Sequence, residues 1–488
     1  MREKLRSLAS DTAVYGASTI IQRFLTFLLT PLYTNYLTMS ELGVVSNVYA
    51  LIAFVNILYA FGFESAFMRF YRGDNNEKAL VFTQSFVPVV GIAACMSGIL
   101  YVLRAHTAPF AGIGPDAPSS LFALVLLIPF LDAVSIIPFA QLRMERKARR
   151  FATYKVLSVV VNIALNVILV VGMSLGSRGV FIAGACSSLV SVILVAPHIA
   201  RGLRRGASRL RELAAFGIPT IPSGFASMLL QVADRPILTA MTTPLIVGLY
   251  NANYRLAIPM MLCVSVFEYA WKPFYLQHAE DDDAPVLFGR IFTYFTLMSA
   301  LVFLLISLFA SVVVQLPFPG GTLIHPSYWQ GLHIVPIVAA AYYFAGMTSN
   351  LSAGLHITKK TGRLPLVVGS AAAVNIALNV LLIPTLSYTG AAWATFGAYA
   401  VSACIMLLSS QRVFNVQYEW WRVLRIWVLS AAIFFANTRI AELMLPWAIA
   451  AKLLLVTGFV ILLRLSGFFT PQENRALRSL FARTPAKS

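Results

Sequence analysis

Apolar runs of about 20 residues, long enough to cross the hydrocarbon core of a bilayer, recur along this chain with short polar gaps between them. They lie near 12–36, 41–68, 80–103, 119–142, 153–175, 178–199, 214–241, 244–271, 285–316, 328–355, 363–384, 387–410, 422–441 and 446–467, which predicts fourteen membrane-spanning helices. Only 11% of residues are charged, 59% are hydrophobic, and the mean hydropathy is +0.77. A soluble chain cannot hide that much apolar side chain, so lipid is the expected solvent.

The gaps confirm the count through their charge. Basic residues cluster in alternate gaps: Arg2–Arg6, Arg69–Lys78, Arg143–Lys155, Arg201–Arg211, Lys272 with Arg290, Lys359–Arg363, Arg412–Arg425, and the tail from Arg464 to Lys487. The other set of gaps holds only Arg104, Arg178 and Arg439. This asymmetry places both termini in the cytoplasm, and one missed or invented span would scramble it. The net charge of +18 is therefore a topology signal and not a nucleic-acid footprint. The first apolar run is too long for a cleavable signal peptide and is interrupted by Arg23. Cys95, Cys186, Cys263 and Cys404 sit in apolar runs with no disulfide or metal spacing, and read as small buried hydrophobes.

Residues 161–169 and 374–382 carry one nine-residue string, differing only at Ile168 versus Leu381. Each copy has two asparagines at i, i+4 (Asn162/Asn166 and Asn375/Asn379), on one helix face. Gly43, Tyr49 and Leu51 of the second span likewise match Gly248, Tyr254 and Leu256 of the eighth, and Phe70-Tyr71 matches Phe274-Tyr275. Spans one to six thus repeat as seven to twelve. An even number of spans per unit gives the copies one orientation, related by an axis along the membrane normal, an arrangement typical of transporters. The expected organisation is an N-lobe over 1–200, a basic linker over 201–212, a C-lobe over 213–411, two further spans over 412–468, and a cytoplasmic tail over 469–488. The fold class is all-α: two parallel-related six-helix lobes around a central cavity, plus two C-terminal helices. The asparagine pairs suit interhelical hydrogen bonding better than substrate contact.

Ionisable side chains inside spans face a cavity or a partner. They are Arg23, Glu64, Asp132, Asp234, Arg235, Arg255, Glu268 and Lys452. Thr19, Arg23, Thr26 and Thr30 follow i, i+4, i+7, i+11, a polar stripe down the first span flanked by Tyr15 and Tyr33. This stripe suits an anionic ligand; the alternative is a salt bridge from Arg23 to Glu64 or Asp132. Arg255, following Asn251 and Asn253, faces the second half as Arg23 faces the first. Asp234 and Arg235, being adjacent, are expected to point apart. Glu268 reads as interfacial, Lys452 as snorkelling to the outer surface, and Glu280–Asp283 as a solvated loop. No nucleotide-binding loop, nucleophile elbow or metal spacing occurs, so no enzyme, cofactor or metal site is expected. Transport would draw on an ion gradient or on the substrate's own.

The stretches Leu25–Gly43 (with Pro31-Leu-Tyr-Thr and Glu41-Leu-Gly), Gly62–Tyr71 with Glu64 and Arg69, Asp234-Arg235 followed by Gly248-Leu-Tyr, and Val374-Asn through Asn379 and Ile383-Pro384 to Gly390-Ala-Ala carry a resemblance. In order and spacing the chain resembles the polysaccharide-transporter family, the oligosaccharide-lipid (O-antigen) flippase branch of the multidrug/oligosaccharidyl-lipid/polysaccharide exporter superfamily. The resemblance implies translocation of an undecaprenyl-diphosphate-linked glycan, a lipopolysaccharide or exopolysaccharide precursor, across the bacterial inner membrane. It assigns Arg23 and Arg255 to diphosphate contact, with Arg235 the third candidate. Glu64, Asp132 and Asp234 would couple H+ or Na+ or hold the arginines. Membrane lipid and polysaccharide polymerase machinery are the implied partners; nucleic acid is not one. A cation-coupled multidrug exporter is the alternative, and would favour carboxylates over Arg23 in the first-half cavity. A membrane glycan polymerase or ligase would need a long outer loop, which is missing; buried polar stripes argue against a mere scaffold.

Overall fold

The computed structural model describes residues 16, 20–114, 118–204, 206, 209–437, 445–469 and 473. Helices dominate, and among the described residues the strands are a two-residue hairpin, Pro317–Phe318 with Gly321–Thr322. Ten helices are individually long and apolar enough to cross a membrane, making this a multi-pass membrane protein. The other expected spans are helices that the chain breaks or joins. The first is described from residue 20 and continues as Leu29–Tyr36. The eighth is split into Pro244–Arg255 and Ile258–Gln277. The eleventh and twelfth run together as Leu364–Gln411 across a reversal at Ser387. The thirteenth, Trp420–Asn437, carries Arg422 and Arg425 in its opening turns.

The duplication extends to the backbone. Ser174 and Ser387, both 213 residues apart as the asparagine strings are, adopt the left-handed conformation at φ 53° and 50°, a costly geometry for serine. Each closes the tight turn between consecutive antiparallel spans. Within each string the internal hydrogen bonds coincide: the second asparagine's Nδ2 donates to the first one's carbonyl at 2.8 Å and to its Oδ1 at 3.1 Å. Asn166 Oδ1 also accepts from Tyr33 Oη at 3.0 Å, tying span five to span one. The matching atom of the second copy, Asn379 Oδ1, is buried without a hydrogen-bond partner.

The halves meet where Met39–Ala60 crosses Pro244–Arg255. The repeat-related glycines lie at this crossing. A Cβ on Gly43 would sit 1.7 Å from the Pro244 carbonyl oxygen, and one on Gly248 would sit 1.9 Å from that of Met39. One turn further in, Asn251 Nδ2 donates to Ser46 Oγ at 2.5 Å. The seam closes the end of the bundle opposite the basic loops. Above it the hairpin bridges the joint, Asn35 Nδ2 donating to the Thr322 carbonyl at 2.8 Å, and within the second half Asn253 Nδ2 donates to the Tyr328 carbonyl at 2.9 Å.

At the basic end, Leu210–Gly217 packs with the first half. Leu213 joins a core with Tyr59, Phe63, Phe67, Val81 and Phe82, and a Cβ on Gly62 (φ 75°) would meet the Gly217 carbonyl. A 3-10 turn at Ile218–Thr220 then redirects the chain into Ile221–Val232, which packs on Leu364–Gln411 of the second half. The last two spans lie outside both halves, against Ala284–Val313, with Phe459 and Leu463 buried beside Leu304 and Leu308. There Lys452, buried, donates to Ser311 Oγ at 2.9 Å.

Gly43→Ala and Gly248→Ala force the two backbones apart, and overpacking of this kind costs about 1–3 kcal/mol. Thermal unfolding in detergent is expected to show a lowered midpoint for both, whereas Gly91→Ala, with open space around its Cβ, leaves it unchanged.

Candidate substrate cavity

Just inside the seam, a cavity of about 450 Å³ opens between the halves. The first span presents Gln22, Arg23 and Thr26; the second, Ser46 and Tyr49; the seventh, Arg235; the eighth, Asn251, Tyr254 and Arg255; and the tenth, Tyr342. All three arginines expected to contact substrate thus line one chamber. Of the polar stripe, Arg23 and Thr26 face it, with Thr26 Oγ1 donating to the Gln22 carbonyl at 2.8 Å. Thr30 is buried beyond it, its hydroxyl unpaired. Thr19 and Tyr15 lie outside the described residues.

The three guanidinium groups are held differently. Arg235 Nη1 donates to Asp234 Oδ1 at 3.0 Å, in a pair of which Asp234 is only 3% exposed, and the guanidinium stacks on Tyr254 at 4.6 Å from the ring centroid. Asp234 also accepts from Tyr250 Oη at 2.6 Å. The expectation that these neighbours point apart is corrected: Asp234 begins a helix, Asp234–Met241, and its carboxylate folds over the Arg235 amide, within reach of the long arginine side chain. Arg255 ends its helix and lies over Tyr33, 5.7 Å from the ring centroid. Its Nη1 is buried without a hydrogen-bond partner, which is costly for a charged donor. Arg23 donates from Nη1 to Ser265 Oγ at 3.0 Å, on the eighth span.

Neither expected salt-bridge partner reaches Arg23. Glu64 follows the left-handed break at Phe61-Gly62 and pairs with Arg143 at the end of span four. Asp132 accepts from Ser188 Oγ at 2.7 Å and from Asn56 Nδ2 at 3.5 Å. These carboxylates line a separate chamber of about 1020 Å³ toward the basic end, with Lys155 and Arg143. Glu268, expected at the interface, shares a side pocket with Arg23. Tyr49 and Tyr254 were visible in sequence only as repeat-related neighbours; Ser46 and Ser265 gave no signal alone. No group of metal-ligating side chains occurs among the described residues.

A family profile described as "Polysaccharide biosynthesis protein" matches residues 8–277, more than half the chain. The chain belongs to the polysaccharide biosynthesis protein family. Its fold is similar to that of a solved structure titled lipid II flippase MurJ in an inward closed conformation (TM-score 0.74, 14% identity, 92% of this chain and 98% of that one). It is also similar to an inward-facing multidrug resistance MATE transporter of the MOP superfamily (TM-score 0.64, 15% identity, 80% and 94%). No curated protein sequence matches the chain significantly. This family member thus shares its fold with a lipid II flippase and with a multidrug resistance transporter.

Removing one partner of a buried ion pair strands the other charge, at about 3–5 kcal/mol. Asp234→Ala is expected to unfold well below wild type in detergent, with Tyr250→Phe losing less, about 1.5–3 kcal/mol. Equal midpoints for Asp234→Ala and wild type would contradict the pairing.

Proposed function

We propose that this protein is a flippase that carries a polyprenyl-diphosphate-linked oligosaccharide from the cytoplasmic to the outer leaflet of the bacterial cytoplasmic membrane by alternating access. The observation that carries the reading is Arg255: a guanidinium with a buried, unpartnered nitrogen, in a chamber it shares with Arg23 and Arg235. An isolated buried cation is expensive, and a diphosphate supplies the missing charge and acceptors. A diphosphate bearing several sugars cannot enter hydrocarbon unaided, because desolvating its charges and hydroxyls costs far too much.

In this reading the basic end and both termini are cytoplasmic. The headgroup enters from that side and meets the arginines below the closed Gly43–Gly248 seam, while the prenyl tail stays in lipid. The seam then parts as the six-span halves rock on one another. Glu64 and Asp234 are committed to Arg143 and Arg235. Asp132, bonded only to neutral groups, is the carboxylate best placed to take up a coupling proton or Na+. The product would be a precursor of a surface polysaccharide such as O-antigen or an exopolysaccharide, passed to polymerising machinery. A cation-coupled drug exporter fits less well, since the chamber against the seam presents three arginines and Asp234 beside it is already paired with Arg235.

Arg23→Ala and Arg255→Ala each remove a charge-assisted contact worth about 1.5–3 kcal/mol, or about ten- to a hundredfold in affinity. Both are expected to fail to complement a strain lacking its glycan-lipid flippase. Full complementation by both, at wild-type protein levels, would contradict the assignment.

A further inference from the structure

A second pocket, of about 390 Å³, adjoins the arginine chamber, and the residue they share is Arg23. Two polar stripes build it. On Ile258–Gln277, the residues Ser265, Glu268, Tyr269 and Lys272 fall at i, i+3, i+4 and i+7, on one face. On the facing tenth span Ser349, Ser352 and His356 fall at i, i+3 and i+7. Polar groups in such density on two otherwise apolar helices are costly unless they meet a polar occupant. Some of them meet each other, Arg23 on Ser265 and Ser349 on Glu268, yet the two stripes still enclose a pocket.

Resting on the flippase reading above, we infer that this pocket is a sugar subsite, holding the ring next to the diphosphate of the lipid-linked glycan. The chemistry fits a neutral, hydroxyl-bearing ligand. The Glu268 carboxylate, held by a hydrogen bond from Ser349, is an acceptor for sugar hydroxyls, and charge-assisted bonds of this kind are the strong ones. Ser352 and Ser265 offer further donors and acceptors, and the partly exposed ring of Tyr269 gives an apolar face. Arg23 stands between the two chambers, so a phosphate bound by it places the attached sugar toward Glu268. Lys272 lines the same pocket, so the Glu268 carboxylate is offset there and the pocket presents groups of both signs to a ligand. Discrimination among glycans by the first sugar would then reside in this pair of stripes.

The test uses the full chain in lipid nanodiscs, with two probes: undecaprenyl diphosphate, and the same lipid bearing one N-acetylhexosamine. The readout is the ratio of the two affinities. The wild-type protein is expected to prefer the sugar-bearing lipid by roughly tenfold, the scale of one or two hydrogen bonds to a charged group. Glu268→Ala is expected to bring that ratio near one. Ser349→Ala, a milder change should the first fold poorly, is expected to lower it about threefold, and Glu268→Gln to retain part of it. Arg255→Ala weakens both lipids alike and keeps the ratio. Should Glu268 serve only as a counter-ion for Arg23, Glu268→Ala would tighten both lipids together and leave the ratio unchanged, which overturns the subsite. A wild-type ratio of one overturns it too. If Arg255→Ala leaves both affinities at wild type while Glu268→Ala still collapses the ratio, the diphosphate assignment fails and the sugar subsite stands.

Discussion

The structure depends on one backbone-to-backbone contact. Where the second span crosses the eighth, Gly43 and Gly248 leave no room for a side chain, and each helix lies against a carbonyl of the other. In lipid, apolar side chains gain nothing from meeting each other, so close approach through small residues and hydrogen bonds has to supply the attraction. The contact holds the repeat-related Ser46 and Asn251 at hydrogen-bonding distance. It also closes one end of the space between the halves, and so makes a chamber of the surfaces that carry Arg23, Arg235 and Arg255. Buried apolar side chains of both halves, among them Val45, Val48, Leu249 and Ala252, also meet across the seam.

The chamber gathers positive charge by holding each guanidinium in a different way. Arg235 is neutralised in place by Asp234 and braced on Tyr254. Arg23 rests on a serine of the opposite half. Arg255 has an aromatic face beneath it and a donor with nothing to receive it. In the flippase reading, this gradation sets Arg235, already neutralised, apart from Arg23 and Arg255. The carboxylate chamber toward the basic end, with Asp132 and the Glu64–Arg143 pair, is a distinct electrostatic compartment in the first half.

Much of this was legible in the sequence, and what was not has a common cause. Hydropathy and loop charge follow from composition along the chain, so the spans and their alternation could be read directly. The repeat led to Gly43 and Gly248 as matched positions, although nothing in one dimension says that they touch. Cations inside apolar runs marked Arg23, Arg235 and Arg255, since burial of charge is too costly to be incidental. Their partners were misjudged because pairing depends on side-chain reach and helix breaks: the break at Phe61-Gly62 sends Glu64 to Arg143, and the helix start at Asp234 folds its carboxylate back to Arg235. The nearness of Glu268 to Arg23 is not legible in one dimension, because only the fold lays the first span beside that part of the eighth.

The central claim is that the seam between Gly43 and Gly248 parts in every transport cycle. Cysteines at positions 46 and 251, in a chain with its four native cysteines replaced, would bridge the seam as a disulfide or through a short thiol crosslinker. The account predicts that quantitative crosslinking stops translocation of lipid-linked glycan in proteoliposomes, and that reduction restores it. Undiminished translocation by the fully crosslinked protein would contradict it.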